Sequence, residues 1–344
     1  MMQTEIVINE FMQLRNQWKV LDVRTPLEFD QGHIPGAENF PLMSNEDRAV
    51  IGTIYKQSGQ FSAVLKAYGL LGPAMAGILK NAQKLLPCKK AVVYCWRGGM
   101  RSESMAWLLH SAGFEVKRLA GGYKSYRAYI RQVFGNAKNL CIVGGKTGSG
   151  KTEILCALKE MGEQVVDLEG IASHKGSAFG HIGMKPQSTN EQFENRLAEV
   201  IMCFDPTKRI WLEDESKTIG KNYIPDEMWQ SMFSSPLFFV EPDKESRLDR
   251  LVRDYAAADN IVLQESLCKI SEKLGGDNFK KAIQALDDGD LRLFAEITLQ
   301  YYDKAYLHSL GRHNADKILK TDVMNATSDK IAELLISKAD ILGL

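Results

Sequence analysis

Cysteine is scarce in this sequence: there are six in 344 residues, Cys88, Cys95, Cys141, Cys156, Cys203 and Cys268. No pair has the two-residue spacing of a zinc site, and six scattered thiols do not make a disulfide framework, so most are expected to be reduced core residues. Long apolar runs are missing as well. The longest, Ala91–Trp96 and Pro236–Val240, fall far short of the roughly 20 residues of a membrane helix. The N-terminus has no basic-then-apolar leader pattern, which together with the short runs predicts a cytoplasmic chain with no membrane partner. Internal repeats and low-complexity linkers are absent too. With 44% hydrophobic and 25% charged residues, disorder, collagen and coiled coil are excluded. At roughly 100–200 residues per domain, the length predicts two domains.

Acidic residues are missing from one long segment. None occurs between Asp47 and Glu103, while nine lysines and arginines lie in or beside that gap. The total charge of zero therefore hides an asymmetry: residues 1–135 carry seventeen basic against ten acidic residues, and the remainder is acidic by the same margin. A basic first half favours an anionic partner, either a small oxyanion or a nucleic-acid backbone.

Two apolar runs in that half lead into chemistry. Lys19–Val23 reads as a buried strand running into Asp22-Val-Arg24-Thr-Pro-Leu-Glu28-Phe and the turn Gly32-His33-Ile-Pro-Gly36-Ala37. His33, within that turn, reads as architectural. Ala91–Tyr94 is a second strand, followed directly by Cys95-Trp96-Arg97-Gly98-Gly99-Met100-Arg101-Ser102 and then by the helical pattern Met105, Leu108, Leu109, Ala112. A cysteine at a strand-to-helix turn meets converging backbone N–H groups and a helix N-terminus, which favour a thiolate and bind an oxyanion. Gly98 and Gly99 permit the tight backbone, and Arg97 and Arg101 add charge.

These stretches, with Leu119-Ala-Gly121-Gly122-Tyr123, resemble the rhodanese domain over about residues 5–130. That resemblance implies an α/β fold and a cysteine that carries sulfur. The loop departs in one respect. Five residues separate Cys95 from Arg101, one more than the usual sulfurtransferase loop and the same as in the related phosphatases, so a phosphate-sized ligand is expected.

The second half opens on a strand, Asn139–Val143, followed by Gly144-Gly145-Lys146-Thr147-Gly148-Ser149-Gly150-Lys151-Thr152 and a helical period from Ile154. Gly145-x4-Gly150-Lys151-Thr152 fits the P-loop pattern in its strand–loop–helix setting. Backbone N–H groups there bind linked phosphates, Lys151 neutralises charge, and Thr152 is placed to hold Mg²⁺. Arg209–Glu215 reads as a strand ending in Glu213 and Asp214, either of which suits a Mg²⁺-linked acid. Gln164–Val166 is another strand, leading to Asp167 and Glu169 beside the expected phosphate site. After the strand Leu237–Val240, Arg247, Arg250 and Arg253 recur at three-residue spacing on one helix side, placed to reach phosphates or to face solvent. Residues 256–310 read as helical with no identifiable chemistry, and Lys317–Lys320 as a last strand. The expected architecture is thus a rhodanese-like domain over 1–134 and a doubly wound, P-loop NTPase-like α/β domain over 135–344. A short helix, Tyr123–Phe134, joins them.

Further stretches, Gly52-Thr-Ile-Tyr-Lys56-Gln57-Ser-Gly59, Asp167-Leu-Glu169-Gly170, Gly176-Ser-Ala-Phe-Gly180 and Glu213-Asp214-Glu215-Ser216, are similar to the tRNA 2-selenouridine synthase family. The resemblance implies a transferase that acts on the wobble 2-thiouridine of tRNA. It implies geranyl diphosphate and selenophosphate as co-substrates, with an S-geranyl-2-thiouridine intermediate, and no DNA partner. In that setting Cys95, Arg97, Gly98, Gly99 and Arg101 are the expected selenophosphate loop. Gly145, Lys146, Thr147, Gly148, Ser149, Gly150, Lys151 and Thr152 are the expected diphosphate loop, Thr152 and Asp214 the expected Mg²⁺ ligands, and Asp167, Glu169, Glu213, Arg247 and Arg250 secondary candidates. Trp96 and Tyr123 are candidates either to stack on the uridine or, as the safer reading at each position, to pack within the fold. The competing reading is a rhodanese-type sulfurtransferase or Cys-x5-Arg phosphatase with a regulatory nucleotide-binding P-loop domain. Lys56, Lys89, Lys90, Lys124, Arg127 and Arg131 are the expected tRNA contacts. If so, Lys124→Ala combined with Arg131→Ala weakens tRNA binding and reduces the slope of log K against log salt by about 1.5–2, as titration at several salt concentrations would measure.

Overall fold

The computed structural model describes residues 4–311, 315–323 and 326–344, and the chain divides into two compact units, 1–132 and 133–344. In the first, β1 (Thr4–Ile6), β2 (Lys19–Asp22), β3 (Glu38–Asn39), β4 (Lys90–Tyr94) and β5 (Glu115–Leu119) form a parallel sheet of order β1-β5-β4-β2-β3. The alternation of its partners makes the gap between the ends of β2 and β4 a topological switch point, where such sheets bind ligands. Leu21, Val23, Ala91 and Val93 pack on Met105, Ala106 and Leu109 of the helix Met100–Ser111. Sheet and helix thereby fix where the residue after β4 must sit.

The carboxyl end of β2 is held by a buried ion pair. The Arg24 guanidinium donates to both Asp22 oxygens, at 2.5 Å for the shortest contact, and to the Gly32 carbonyl at 2.7 Å. Both side chains are about fully buried. His33, stacked on Phe29 with its Nδ1 2.9 Å from the Phe29 carbonyl, completes the turn, in keeping with an architectural role.

The second unit has β6 (Leu140–Gly144), β7 (Gln164–Val166), β8 (Ile210–Glu213), a small antiparallel pair β9 (Thr218–Ile219) and β10 (Asn222–Tyr223), then β11 (Leu237–Val240) and β12 (Ile318–Thr321). The main sheet is parallel, of order β12-β11-β6-β8-β7. From β6 the chain builds first toward β8 and β7 and then toward β11 and β12, so the loop after β6 opens at the crossover. Cys141, Val143, Trp211, Phe238 and Val240 pack on Ile154, Leu155 and Leu158 of the helix Lys151–Glu160, with Ile331 and Leu335 from the C-terminal helix. A separate helical cluster around Leu251, Leu267, Leu286 and Phe294 fills the 244–310 region.

One expectation needs correction: four of the six cysteines, Cys88, Cys156, Cys203 and Cys268, are exposed, and only Cys95 and Cys141 are buried. The span Asn45–Leu85 folds as a long helix that by length and composition alone is apolar enough to cross a membrane. Its apolar residues between Lys66 and Lys80 are broken up by glycines and Pro73. It bends sharply at Gly59, whose φ of +82° lies in the left-handed region that glycine tolerates.

Removing one partner of the buried pair leaves an uncompensated charge. Asp22→Ala should therefore lower the stability of the first unit by about 3–5 kcal/mol, read as a shifted midpoint in urea unfolding followed by circular dichroism.

Candidate functional site

Cys95 is the first residue beyond β4 and is 3% exposed. Its Sγ lies 3.3 Å from Ser102 Oγ, whose hydroxyl donates to the Gly99 carbonyl at 2.9 Å. The Gly99 carbonyl also lies within reach of the thiol, 3.8 Å from Sγ, so Ser102 and Gly99 together hold the sulfur in place. Gly99 is the N-cap of Met100–Ser111 and brings no side chain to the first turn, so helix N–H groups remain exposed to an anion. Gly98 has φ +70°, and a Cβ there would stand 2.9 Å from the Leu119 carbonyl and 3.0 Å from Gly121 N. The later Gly121-Gly122-Tyr123 stretch is the wall behind the loop: Tyr123 N–H donates to the Cys95 carbonyl at 2.9 Å and Lys124 N–H to that of Trp96 at 3.0 Å. At Gly122 a Cβ would lie 2.2 Å from the Cys95 carbonyl oxygen, so only glycine allows this approach.

The loop's charges are differently disposed. Arg97 is exposed. Arg101 forks onto Glu28, at 2.5 and 3.1 Å; burial works against the Glu28 anion, but this guanidinium holds its carboxyl below the usual range. Arg118, from β5, supports the loop from below by donating to the Gly98 carbonyl at 3.2 Å, and it pairs with Glu103. Tyr123 is fully buried with the Arg24 guanidinium 4.2 Å from its ring centroid, which removes it as a stacking surface for a base. Trp96 is 38% exposed and stays available. Among the expected RNA contacts, Lys90 is paired with Glu115 at 3.3 Å.

The second loop follows β6. Gly148 and Gly150 have φ +77° and +81°, and Gly150 caps the helix Lys151–Glu160 without a side chain. A Cβ at Gly148 would stand 2.8 Å from the Arg247 carbonyl. Lys151 Nζ donates to the Gly145 carbonyl at 3.2 Å across the loop, and Thr152 Oγ1 donates to Glu169 Oε2 at 3.2 Å. Lys146 is paired with Glu241. Ser149 is buried with no partner for its hydroxyl.

The two candidate arginines act on the loop's backbone. Arg247 is buried; its Nε donates to the Thr147 carbonyl at 2.9 Å, and its fork closes on Asp303. Arg250 donates to Glu153 at 3.1 Å and more weakly to the Gly148 carbonyl at 3.4 Å. Arg253 is exposed and pairs with Glu153.

Two carboxyls near Thr152, those of Glu213 and Glu215, are shifted upward. Glu213, at the end of β8, accepts from Glu169 N–H at 2.8 Å through Oε1, while Oε2 is buried without a partner. Burial pushes its carboxyl up to about 8. Glu215 is likewise held well above the usual carboxylate range, by burial and by the neighbouring Glu169, against the pull of Lys151. Asp167 caps the short helix Leu168–Ala172 through Gly170 N–H at 2.7 Å. Asp214 accepts from the Tyr306 hydroxyl at 2.8 Å, and the same hydroxyl accepts from Gly145 N–H at 2.9 Å.

A family model for the AAA domain of tRNA 2-selenouridine synthase matches residues 138–338, and one for the rhodanese-like domain matches 7–129. A tRNA 2-selenouridine synthase of Shewanella denitrificans is 31% identical over 91% of this chain and 93% of its own length. Those of Bdellovibrio bacteriovorus and Pseudomonas aeruginosa are 35% and 36% identical, over 90% and 83% of this chain and 94% and 86% of theirs. The chain belongs to the tRNA 2-selenouridine synthase family.

Within this member of the family, the residues that complete the two loops lie far from them in sequence: Glu28 and Arg118 at the cysteine loop, Glu215, Asp303 and Tyr306 at the P-loop. Glu215 had a sequence signal in the acidic run 213–215, whereas Tyr306 had none. No three His, Cys, Asp or Glu side chains among the described residues are arranged to hold a metal unaided. Mg²⁺ on a phosphate substrate needs only one or two carboxylates and water, and the Thr152 hydroxyl and the Glu169 carboxylate, 3.2 Å apart, are hard donors that fit it.

The protonated state of Glu213 has a measurable consequence. Its carboxyl binds a proton more tightly folded than unfolded, so its contribution to stability is complete below about pH 4.5 and is lost as pH rises through about 8. Glu213→Gln should melt higher than the parent protein at pH 9 and equal it near pH 5, in thermal scans across that range.

Proposed function

We propose that this enzyme makes 2-selenouridine in tRNA, replacing the sulfur of wobble 2-thiouridine with selenium from selenophosphate by way of an S-geranyl intermediate. The observation that carries the reading is kinship to enzymes of that name along nearly the whole chain. Two glycine-built anion loops on separate units support it, because the route needs two different anions.

In the first step the 2-thio sulfur attacks C1 of geranyl diphosphate. The S–C bond forms, the C–O bond breaks with its electron pair leaving on diphosphate, and the base loses its N3 proton. The P-loop grips the diphosphate: backbone N–H groups from Gly145 to Thr152 and the Lys151 ammonium stabilise charge on the departing oxygen. Mg²⁺, when held by Thr152 and Glu169, would add Lewis-acid stabilisation of that charge.

The second step exchanges the thiolate for selenium. Selenium attacks C2 and geranyl thiol leaves with the selenol proton, so a poor leaving group has been replaced by a better one. The Cys95 thiolate then attacks phosphorus; the S–P bond forms as the Se–P bond breaks, and its electrons remain on selenium as the base regains its N3 proton. Water hydrolyses the thiophosphate to phosphate and free Cys95. Arg97, exposed at the loop mouth, and the N–H groups of the first helical turn hold the phosphoryl oxygens. Ser102 holds the thiol in place.

The two steps separate by substitution. Lys151→Ala should reduce geranylation by about 10²–10³-fold yet still convert tRNA supplied with S-geranyl-2-thiouridine. Cys95→Ser should geranylate normally and fail to selenate, as nucleoside mass spectrometry would show. If the parent protein leaves 2-thiouridine tRNA unmodified with both donors present and instead turns over an aryl phosphate or thiosulfate, the phosphatase or sulfurtransferase reading replaces this one.

A further inference from the structure

The bend at Gly59 folds the helix Asn45–Leu85 into two limbs that face each other across a cavity of about 740 Å³, within the roughly 300–1,000 Å³ of small-molecule sites. Ile51 and Tyr55 line it from the first limb, Val64 and Leu71 from the second, and Leu42 and Met43 from the approach to the helix. Another part of its wall is Met100, Arg101 and Ser104, from the start of the helix that begins where the Cys95 loop ends. The cavity and the cysteine loop thus share a side chain, Arg101. The cationic groups on its lining, Arg48, Lys56 and Arg101, belong to the stretch from Arg48 to Ser102 that holds no acid. The single acid on the lining, Asp47, is engaged in capping the helix through Ser44.

An apolar pocket with a cationic rim, beside a loop built for a phosphate-sized anion, suits a substrate that is apolar at one end and anionic at the other. The geometry points to this cavity as the seat of the ten-carbon prenyl chain carried on the wobble sulfur during selenation, with the tRNA backbone along the cationic rim. The inference rests on the S-geranyl route proposed above. Burying the chain holds C2 of the base at the cysteine loop and gives the departing geranyl thiol an apolar site, and each buried methylene adds binding in proportion to the area removed from water.

The test fills the pocket. Ala67→Trp and, at a more exposed position of the same limb, Ala74→Trp narrow a cavity whose lining they belong to, and neither residue is in either loop. With synthetic tRNAs bearing S-geranyl- or S-methyl-2-thiouridine and selenophosphate, the parent protein should prefer the geranyl substrate in kcat/KM by at least about tenfold. Folded variants, verified by thermal melting, should lose that preference by raising KM for the geranyl substrate alone, with KM for geranyl diphosphate in the first step unchanged. Calorimetric binding of free geraniol is measured alongside, and should weaken at least about tenfold in the variants. If geraniol binds the parent and not the variants but neither tRNA is converted, the S-geranyl route fails while the pocket stands as a site for an apolar chain. Undiminished geraniol binding in both folded variants, or a defect confined to geranyl diphosphate, would overturn the assignment.

Discussion

Arg24 holds the cysteine site together from beneath. Its guanidinium satisfies Asp22, carries the Gly32 turn on a carbonyl, and lies against the Tyr123 ring. Tyr123 in turn donates its N–H to the Cys95 carbonyl. One buried cation therefore links the end of β2, the turn beyond it, the helix that leaves the first unit and the residue bearing the thiol. A buried charge is stable only when every donor is placed, and Asp22, Gly32 and an aromatic face supply that here. The cost of desolvating the pair is balanced by geometry that would be hard to obtain from apolar packing, which is indifferent to direction.

At the P-loop the same requirement is met differently. There the backbone itself is the ligand-binding group, and the side chains around it restrain carbonyls: Arg247 on Thr147, Arg250 on Gly148, Lys151 on Gly145. Such a loop tolerates nearby carboxylates only if they do not repel the phosphates. Burial pushes the Glu213 and Glu215 carboxyls above the usual carboxylate range, which works against a second and third negative charge beside the loop. Asp214 accepts from the Tyr306 hydroxyl, which also accepts from the Gly145 N–H.

What could be read from the sequence was what is local. Gly98, Gly148 and Gly150 announce their loops because the turn, the strand before and the helix after lie within a dozen residues. The strands that lead into the loops followed from short apolar runs, whereas Thr4–Ile6, Glu38–Asn39 and Glu115–Leu119, too short or too charged to stand out, were not legible and the first sheet was implied by resemblance alone. Long-range partners were silent: nothing in 256–310 marks Tyr306 or Asp303, and Arg118 looks like any strand cation until β5 lies beside β4. For Tyr123 the sequence left stacking and packing both open, and its burial against Arg24, about a hundred residues earlier, decides for packing. The bent helix was unreadable for a further reason. Its apolar residues are spread over two limbs that pack on a shared space, a pattern that no single period captures.

The two loops also differ in what they leave free. A P-loop wraps successive phosphates with many N–H groups and a lysine, which suits an anion whose departure is the chemistry. The cysteine loop instead buries its reactive atom, gives it one hydroxyl partner and leaves the helix N-terminus uncapped by any side chain. That arrangement suits a single tetrahedral group approached by a nucleophile from below. Arg101 being engaged with Glu28 leaves Arg97 as the exposed guanidinium of the loop. On the route proposed above, an incoming phosphoryl group would meet Arg97 first, and Arg101 would join only by giving up Glu28, so the order of charge around the anion would follow from which cation starts exposed.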